Sequence, residues 1–235
     1  MNNPTNLSIS YVPHMNANRH FSFQTSLDRM KEKAESILYP KGQVLFNEGN
    51  SARGLYIVKS GKIKVLKHGS DGKEQILKIA KENDFVGYKG LLTENKCSVS
   101  AIVINDADLL FIPREVFIDF MHEDPILASH FTRLLCEDLI LMEEKIVSLA
   151  YKPVRGRLAE TLLGLNSVYE EESPESRNKG IDLTRGELAN MIGTAKETVI
   201  RLLSEFKHEH LIETNGKWIS VIDINGISKV NNLYN

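Results

Sequence analysis

The chain has 235 residues, of which 42% are hydrophobic and 26% are charged, and its formal net charge is −2. This composition is ordinary for a globular protein with a buried core, and it excludes a wholly disordered chain and a fibrous repeat. No apolar run could cross a bilayer and no secretory leader begins the chain, so we expect no membrane contact and a cytoplasmic location. Two cysteines, Cys97 and Cys136, are too few for a disulfide framework or a four-thiolate zinc site.

The N-terminal part of the chain is expected to contain little sheet. Residues 1–20 are polar and lack any period, which predicts a flexible tail. Between 21 and 38 the apolar residues Leu27, Met30, Ala34 and Leu38 recur at helical spacing, which predicts one or two short helices.

The pattern of apolar residues changes after Pro40. Short apolar runs between 41 and 113 alternate with turn signals at 60–61, 71–72 and 105–106, and this alternation predicts many short strands separated by turns. Residues 21–123 are therefore predicted to form a β jelly roll with flanking helices.

The spacing of apolar residues over 124–151 predicts one long helix. Asp124 can cap it, and Pro125 suits its first turn. Its apolar residues occupy two faces, so either it is an interdomain core helix or its second face packs on another protomer as a two-stranded coiled coil. We favour the second interpretation, a dimerisation helix. The predicted dimer residues are Phe131, Leu135, Leu139, Met142, Ile146 and Leu149.

Residues 152–235 carry the most specific pattern. Thr184 followed by Glu187 forms a capping-box sequence, and Gly193 lies where the first short helix must stop. A second amphipathic helix is predicted over 195–209, and an Asn-Gly turn at 215–216 then predicts a small hairpin. Helix, glycine turn, helix and hairpin in this order are typical of a winged helix-turn-helix that binds double-stranded DNA.

The outer face of the second helix has side chains suited to reading bases. Arg201 can grip guanine through two hydrogen bonds, and Glu197 can accept one from cytosine. Lysine and threonine suit phosphates or base edges. The candidate DNA-binding residues are Thr184, Thr194, Lys196, Glu197, Thr198, Arg201 and Lys217.

One simpler explanation competes with DNA binding. The charged face could be a solvated helix surface with a Glu197–Arg201 pair. Charge alone does not decide, because residues 152–235 contain eleven basic and twelve acidic residues. His208 and His210 have metal-like spacing only in an extended segment, and on a helix they point apart.

The order of these parts resembles the Crp/Fnr family of bacterial transcription regulators over residues 25–225. The resemblance implies an α+β chain with a cyclic-nucleotide-binding-like roll, a long dimerisation helix and a C-terminal winged helix. It also implies a homodimer on near-palindromic DNA, contact with RNA polymerase, and an effector that acts through the roll. Glu197 and Arg201 match the family's base-reading residues, whereas Ala195 replaces a common capping serine, for which Thr194 could substitute. The matching segments are residues 41–49, 56–61, 84–87, 183–189 and 197–203.

The effector pocket departs from the cyclic-AMP-binding members. Those members have a glutamate for the ribose where this chain has Tyr88, and an arginine for the phosphate where it has Val99. Two lost charge-assisted contacts of about 1.5–3 kcal/mol each argue against cyclic AMP. Lys89 or Lys96 could supply a substitute cation, which leaves another anionic ligand open. The candidate pocket residues are Gly87, Tyr88, Lys89, Val99 and Ser100.

No cofactor is expected. The iron–sulfur sensors of this family have an N-terminal cysteine cluster that this chain lacks, and a haem would have only Cys97 and His68 as conceivable ligands. We expect no metal and no enzyme activity, because the chain lacks a strand-borne metal motif, a nucleophile elbow and a phosphate loop. The alternatives left are a cupin-type enzyme and a small-ligand sensor whose C-terminal domain binds a protein.

Overall fold

The computed structural model describes residues 17–69, 71–93, 96–170 and 180–233. Contacts divide these residues into an N-terminal unit that ends at Met142 and a C-terminal unit that begins at Glu143. The predicted tail over 1–20 falls mostly outside the described residues, and its last four residues are already helical.

The N-terminal unit is a β-roll with helices at its ends. Its elements are α1 (Ala17–Lys31), β1 (Glu35–Tyr39), β2 (Val44–Phe46), β3 (Gly54–His68), β4 (Glu74–Ala80), β5 (Phe85–Val86), α2 (Tyr88–Leu91), β6 (Ser100–Pro113), α3 (Arg114–Glu123) and the first part of α4 (Pro125–Tyr151).

Two long antiparallel strands, β3 and β6, organise the sheet. The strand order is β1-β6-β3-β4, with β2 also paired to β6 and β5 to β3. The turn predicted at 60–61 is wrong, because β3 continues through Gly61 with irregular pairing to β6. Gly61 has φ +84°, and a Cβ there would lie 2.6 Å from the Asp106 carbonyl oxygen, so this bulge requires glycine.

The turn predicted at 105–106 is also wrong, because β6 is continuous from Ser100 to Pro113. The helix predicted to reach residue 38 ends at Lys31, and Leu38 lies in β1 opposite Asp108. The 71–72 turn is confirmed, since β3 and β4 pair antiparallel around it.

The core of the N-terminal unit lies between the sheet and the helices. Met30 of α1, Leu55 of β3, Ile112 of β6, Phe117 of α3 and Phe131 of α4 have no exposed surface and share one cluster. The predicted cap of α4 is confirmed, because the Asp124 carboxylate accepts hydrogen bonds from the backbone of Ile126 at 3.0 Å and Leu127 at 3.2 Å.

The C-terminal unit contains the end of α4 and a helical domain with a small sheet. Its three strands pair antiparallel in the order β7-β9-β8, and the last helix, α8, has no counterpart in the sequence-based prediction. Its elements are α5 (Val154–Glu170), β7 (Ile181–Asp182), α6 (Arg185–Ile192), α7 (Lys196–His208), β8 (Ile212–Asn215), β9 (Trp218–Val221) and α8 (Ile224–Asn232).

The structure therefore has the α+β architecture that the sequence predicted: a β-roll, a long helix and a winged helix-turn-helix. Among the described residues, none of the helices is both long and apolar enough to span a membrane.

Candidate nucleic-acid interface and sensor pocket

Local hydrogen bonds fix the turn between α6 and α7. The Thr184 hydroxyl accepts from the Glu187 backbone at 3.1 Å, and the Glu187 carboxylate accepts from the Thr184 backbone at 2.9 Å, which confirms the capping box. Gly193 follows α6 with φ +67°, a left-handed conformation that lets the chain turn without strain. The cap predicted for Thr194 is wrong, because Ala195 takes the N-cap position of α7.

Helix α7 has one buried and one exposed face. Val199, Leu202, Leu203 and Phe206 are buried on the inner face. On the outer face, Lys196, Glu197 and Arg201 are exposed, and Thr198 is half-buried near the same N-terminal end. These four of the seven residues predicted from the sequence thus lie toward the N-terminal end of α7 on an accessible surface, which we call the recognition surface.

Arg201 pairs with Glu205, one turn further along α7, rather than with Glu197. The Arg201 side chain remains 65% exposed. An exposed pair of this kind contributes about 0–1 kcal/mol, so a stronger partner for the guanidinium can replace Glu205.

Arg155 of α5 is a second cationic partner of Glu205, and the sequence-based prediction missed this arginine. Its guanidinium lies 3.1 Å from Glu205 and 2.7 Å from Glu209, and it stacks 4.7 Å above the centre of the Phe206 ring. Glu205 therefore keeps a cationic partner when Arg201 turns away. No local sequence pattern could identify Arg155, because it lies about 50 residues before its partners and meets them only in the tertiary structure.

The wing between β8 and β9 carries Lys217. Its ammonium lies 2.7 Å from an Asp182 carboxylate oxygen and 5.0 Å from the Trp218 ring centre. Arg185, the first residue of α6, donates to the Lys217 carbonyl at 2.6 Å. The wing is thus held to both β7 and α6, and its lysine already has an acidic partner.

A second candidate site lies in the N-terminal unit, between the roll and α4. It is a cavity of about 50 Å³. The predicted residues Gly87, Tyr88, Lys89 and Val99 line it, as do Lys78, Asp138 and Met142. We call this cavity the sensor pocket. Ser100 was wrongly included, because its side chain is buried outside the cavity and accepts a hydrogen bond from the Glu48 backbone at 2.9 Å.

Asp138 of α4 is the centre of polar contacts in the sensor pocket. The Lys89 ammonium lies 2.7 Å from one carboxylate oxygen, and the Tyr88 hydroxyl donates to the same oxygen. Burial raises the pKa of Asp138, but Lys78, Lys89 and Tyr88 together outweigh it and hold the pKa below its ordinary value. Burial, reinforced by Asp138, raises the pKa of Tyr88, so the hydroxyl stays protonated. Nothing in the local sequence pointed to Asp138 or Lys78.

Helix α4 exposes an apolar stripe. Leu139 and Ile146 are 59% and 65% exposed, and Leu135 and Leu149 are 36% and 39% exposed. Met142 is half-buried beside the sensor pocket. Phe131 was wrongly assigned to the dimer face, because it is fully buried and its ring centre lies 5.0 Å from that of Phe117 in its own unit.

The residues considered for metals do not form a cluster. Within the described part of the chain, no group of three His, Cys, Asp or Glu side chains could hold a metal ion. His208 and His210 are exposed at the end of α7. Cys97 is buried in the core and burial raises the pKa of its thiol, whereas the exposed His68 lies 3.8 Å from Glu48.

Comparisons with known proteins match both units. A cyclic nucleotide-binding domain model matches residues 37–124, and a Crp-like helix-turn-helix domain model matches residues 156–230. The second match favours DNA over a protein as the target of the C-terminal unit.

Curated relatives and solved structures agree with these matches. An anaerobic regulatory protein of Haemophilus influenzae is 30% identical over 86% of this chain and 77% of its own length. The cAMP-activated global transcriptional regulator CRP of Pasteurella multocida is 32% identical over 78% of this chain and 88% of its own length. The structure of FixK2 from Bradyrhizobium japonicum has the same fold, with a TM-score of 0.74 at 21% identity, covering 84% of this chain and 97% of that one.

Proposed function

Since this chain belongs to the Crp/Fnr family of transcription regulators, we propose that two copies of it bind one near-palindromic DNA site and place their α7 helices in adjacent major grooves. The carrying observation is the division of α7 into a buried apolar face and an exposed recognition surface at its N-terminal end. In helix-turn-helix proteins this end of the second helix contacts base edges.

In the proposed complex Arg201 and Glu197 read bases. Arg201 leaves Glu205 and donates two hydrogen bonds to a guanine. Such a bidentate contact provides about 1–3 kcal/mol of discrimination against a wrong base. Breaking the exposed pair with Glu205 costs only about 0–1 kcal/mol. Glu197 accepts from a cytosine amino group. Lys196 and Thr198 bind the flanking phosphates or base edges.

The remaining candidate residues serve the DNA backbone. Thr184 caps α6 and Thr194 lies just before α7, so both mark the N-terminal end of a helix, where the first backbone amides suit phosphate oxygens. Lys217 on the wing binds a phosphate in exchange for Asp182. These contacts set position and affinity rather than sequence preference.

The proposed homodimer forms along the apolar stripe of α4. Leu135, Leu139, Ile146 and Leu149 recur at intervals of three, four and seven residues, the spacing of a coiled-coil seam. Exposed leucine and isoleucine at such spacing are stabilised by burial against a second copy, at roughly 25 cal/mol per Å² of apolar surface.

The proposal extends to location, activity and partners. A regulator of transcription acts where the genome is, so we propose a cytoplasmic protein without enzyme activity of its own. It would contact RNA polymerase once bound beside a promoter, and its roll would transmit the state of the sensor pocket.

The test is DNA selection from a random duplex library followed by titration of the selected site with purified variants. Arg201→Ala should cost about 1–3 kcal/mol of discrimination, roughly 5- to 150-fold, at the base it reads. Lys207→Ala is the matched control, since Lys207 is an exposed cation at the opposite end of the same helix. An unchanged base preference in Arg201→Ala, or no salt-dependent binding to any selected duplex, would contradict the proposal.

A further inference from the structure

Three side chains of the roll converge on one carboxylate of α4. Lys89 lies 2.7 Å from the Oδ2 atom of Asp138, Tyr88 donates its hydroxyl hydrogen to that same oxygen, and Lys78 lies 4.0 Å from the Oδ1 atom. The roll residues come from β4 and α2, so the cluster joins two parts of the sheet domain to the helix.

The carboxylate at the centre of the cluster is largely withdrawn from water, and the lysines reach it from its rim. The Asp138 side chain is 15% exposed, the Lys78 side chain 29% and the Lys89 side chain 39%, while Tyr88 as a whole is 3% exposed. Removing one partner of such a pair leaves an uncompensated charge and is far more costly than breaking an exposed pair. A second acid nearby, the half-buried Asp84, accepts a hydrogen bond from the Lys81 backbone at 3.0 Å; burial raises its pKa, and Lys78 opposes that rise.

The sensor pocket itself is too small for a nucleotide. The sensor pocket has about 50 Å³, whereas sites for drug-sized ligands have roughly 300–1,000 Å³. Tyr88 lies in this pocket at the position where the cyclic-AMP-binding members of the family have a ribose-binding glutamate. Val99 also lines the pocket, and its uncharged side chain provides no cation for a cyclic phosphate.

We infer that the Asp138 carboxylate is the resident anion of the sensor pocket, and that it tethers the N-terminal part of α4 to the roll without any small ligand. Lys78, Lys89 and Tyr88 form a site for one carboxylate-sized anion, and the chain itself supplies that anion. Cyclic nucleotides are excluded. The consequence rests on the proposed function: since the chain supplies its own anion, DNA binding needs no added nucleotide.

Chemical rescue tests the tether directly. Asp138→Ala removes the carboxylate and leaves its donors, so the melting temperature should fall by roughly 5–10 °C. Sodium acetate should restore at least half of that loss when compared with sodium chloride at the same ionic strength, since acetate fits the vacated position. Equal melting temperatures of Asp138→Ala in the two salts would overturn the inference.

Asp108→Ala is the matched control for the rescue. Asp108 also pairs with a lysine, Lys59, at 2.5 Å. The Asp108 and Lys59 side chains are 24% and 44% exposed, compared with 15% and 39% for Asp138 and Lys89, so the control pair is more open to water. Water can replace the lost carboxylate there, so acetate should not act differently from chloride. An equal acetate effect in both variants would show a general salt effect and contradict the tether.

A second variant keeps the test decisive if Asp138→Ala does not fold. Tyr88→Phe retains the ring and removes only the donated hydroxyl hydrogen. Backbone amides of residues 134–142 should then exchange with solvent several-fold faster than in the unmodified protein. Unchanged exchange across that segment would overturn the tether.

Nucleotide titration separates this inference from the proposed function. Cyclic AMP and cyclic GMP at millimolar concentration should change neither the melting temperature of the unmodified protein nor its affinity for the selected duplex. A clear rise in melting temperature with either nucleotide would overturn the inference and leave the DNA-binding proposal standing. Loss of all DNA binding, with the acetate rescue intact, would do the reverse.

Discussion

The two units use the same charged residue types in opposite ways. In the sensor pocket, Lys89 and Lys78 point inward to Asp138, whose side chain is 15% exposed. On the recognition surface, Arg201 points outward and is 65% exposed although it also has a carboxylate partner. The buried pairing holds two elements together, whereas the exposed pairing can be exchanged for another partner at little cost. Burial, rather than residue type, thus separates a structural charge from one available to a ligand.

The largest expected effect contrasts two residues of α4, one facing inward and one outward. Phe131→Ala empties a fully buried site and should lower the free energy of unfolding by about 3–5 kcal/mol in urea denaturation. Leu139→Glu should instead leave the protomer folded and shift the protein from dimer to monomer in analytical ultracentrifugation, because Leu139 is 59% exposed. A stable Phe131→Ala protein, or a Leu139→Glu protein that stays dimeric, would contradict the assignment of the two faces.

A smaller effect concerns His130 of α4, a half-buried residue whose two ring nitrogens are covered. Neither ring nitrogen has a hydrogen-bond partner among the described residues, and the ring stacks 3.8 Å from that of Phe23. Burial, with a contribution from Arg133, lowers its pKa to about 4. The unfolded chain, with an ordinary histidine pKa near 6.5, therefore binds this proton more readily than the folded one.

Stability of the N-terminal unit should consequently decrease as the pH falls from about 6.5 to about 4. His130→Phe keeps an aromatic ring in the stack and should flatten this part of a plot of melting temperature against pH. His122→Gln is the control, because His122 is exposed on α3. If both variants retain the full slope, the buried histidine is not its source.

The smallest expected effect lies on the wing. Lys217→Ala should weaken binding to all duplexes alike and lower the salt slope by less than the roughly 0.9 expected for a full phosphate contact, because Asp182 already neutralises part of the lysine charge. Asp182→Asn should raise affinity slightly for the same reason. Lys229→Ala, at an exposed lysine of α8, should leave the slope unchanged. A changed base preference in Lys217→Ala would contradict its assignment to the backbone.

Local signals were sufficient for much of the C-terminal unit. The capping box at Thr184, the left-handed Gly193 and the period of α7 all act within a few residues, so the sequence predicted where these elements begin and end. The same type of signal failed at Gly61, because a glycine with positive φ serves a hairpin and a bulge equally well. Only pairing with β6 distinguished the two.

Predictions that depended on the direction in which a side chain points were less reliable. Helical spacing placed Phe131 and Leu139 on one stripe, but the stripe is wide enough for one residue to enter the core and the other to face solvent. Ser100 is next to the pocket residue Val99, yet it is the first residue of β6 and its hydroxyl accepts a hydrogen bond from the Glu48 backbone instead of lining the pocket. Each error came from treating neighbours in the sequence as neighbours in space.

The sequence alone determined the order of the roll, long helix and winged helix, the helix-turn-helix with its hairpin, and the outer face of α7, because hydrophobic period, caps and turns are properties of short segments. The tertiary structure decided which charges face each other. Asp138 meets Tyr88, and Arg155 meets Glu205, although each pair is separated by 50 positions in the sequence, and such contacts depend on how the elements pack. Packing also sets how much water each charge retains, and therefore whether the pair stabilises the fold or remains exchangeable.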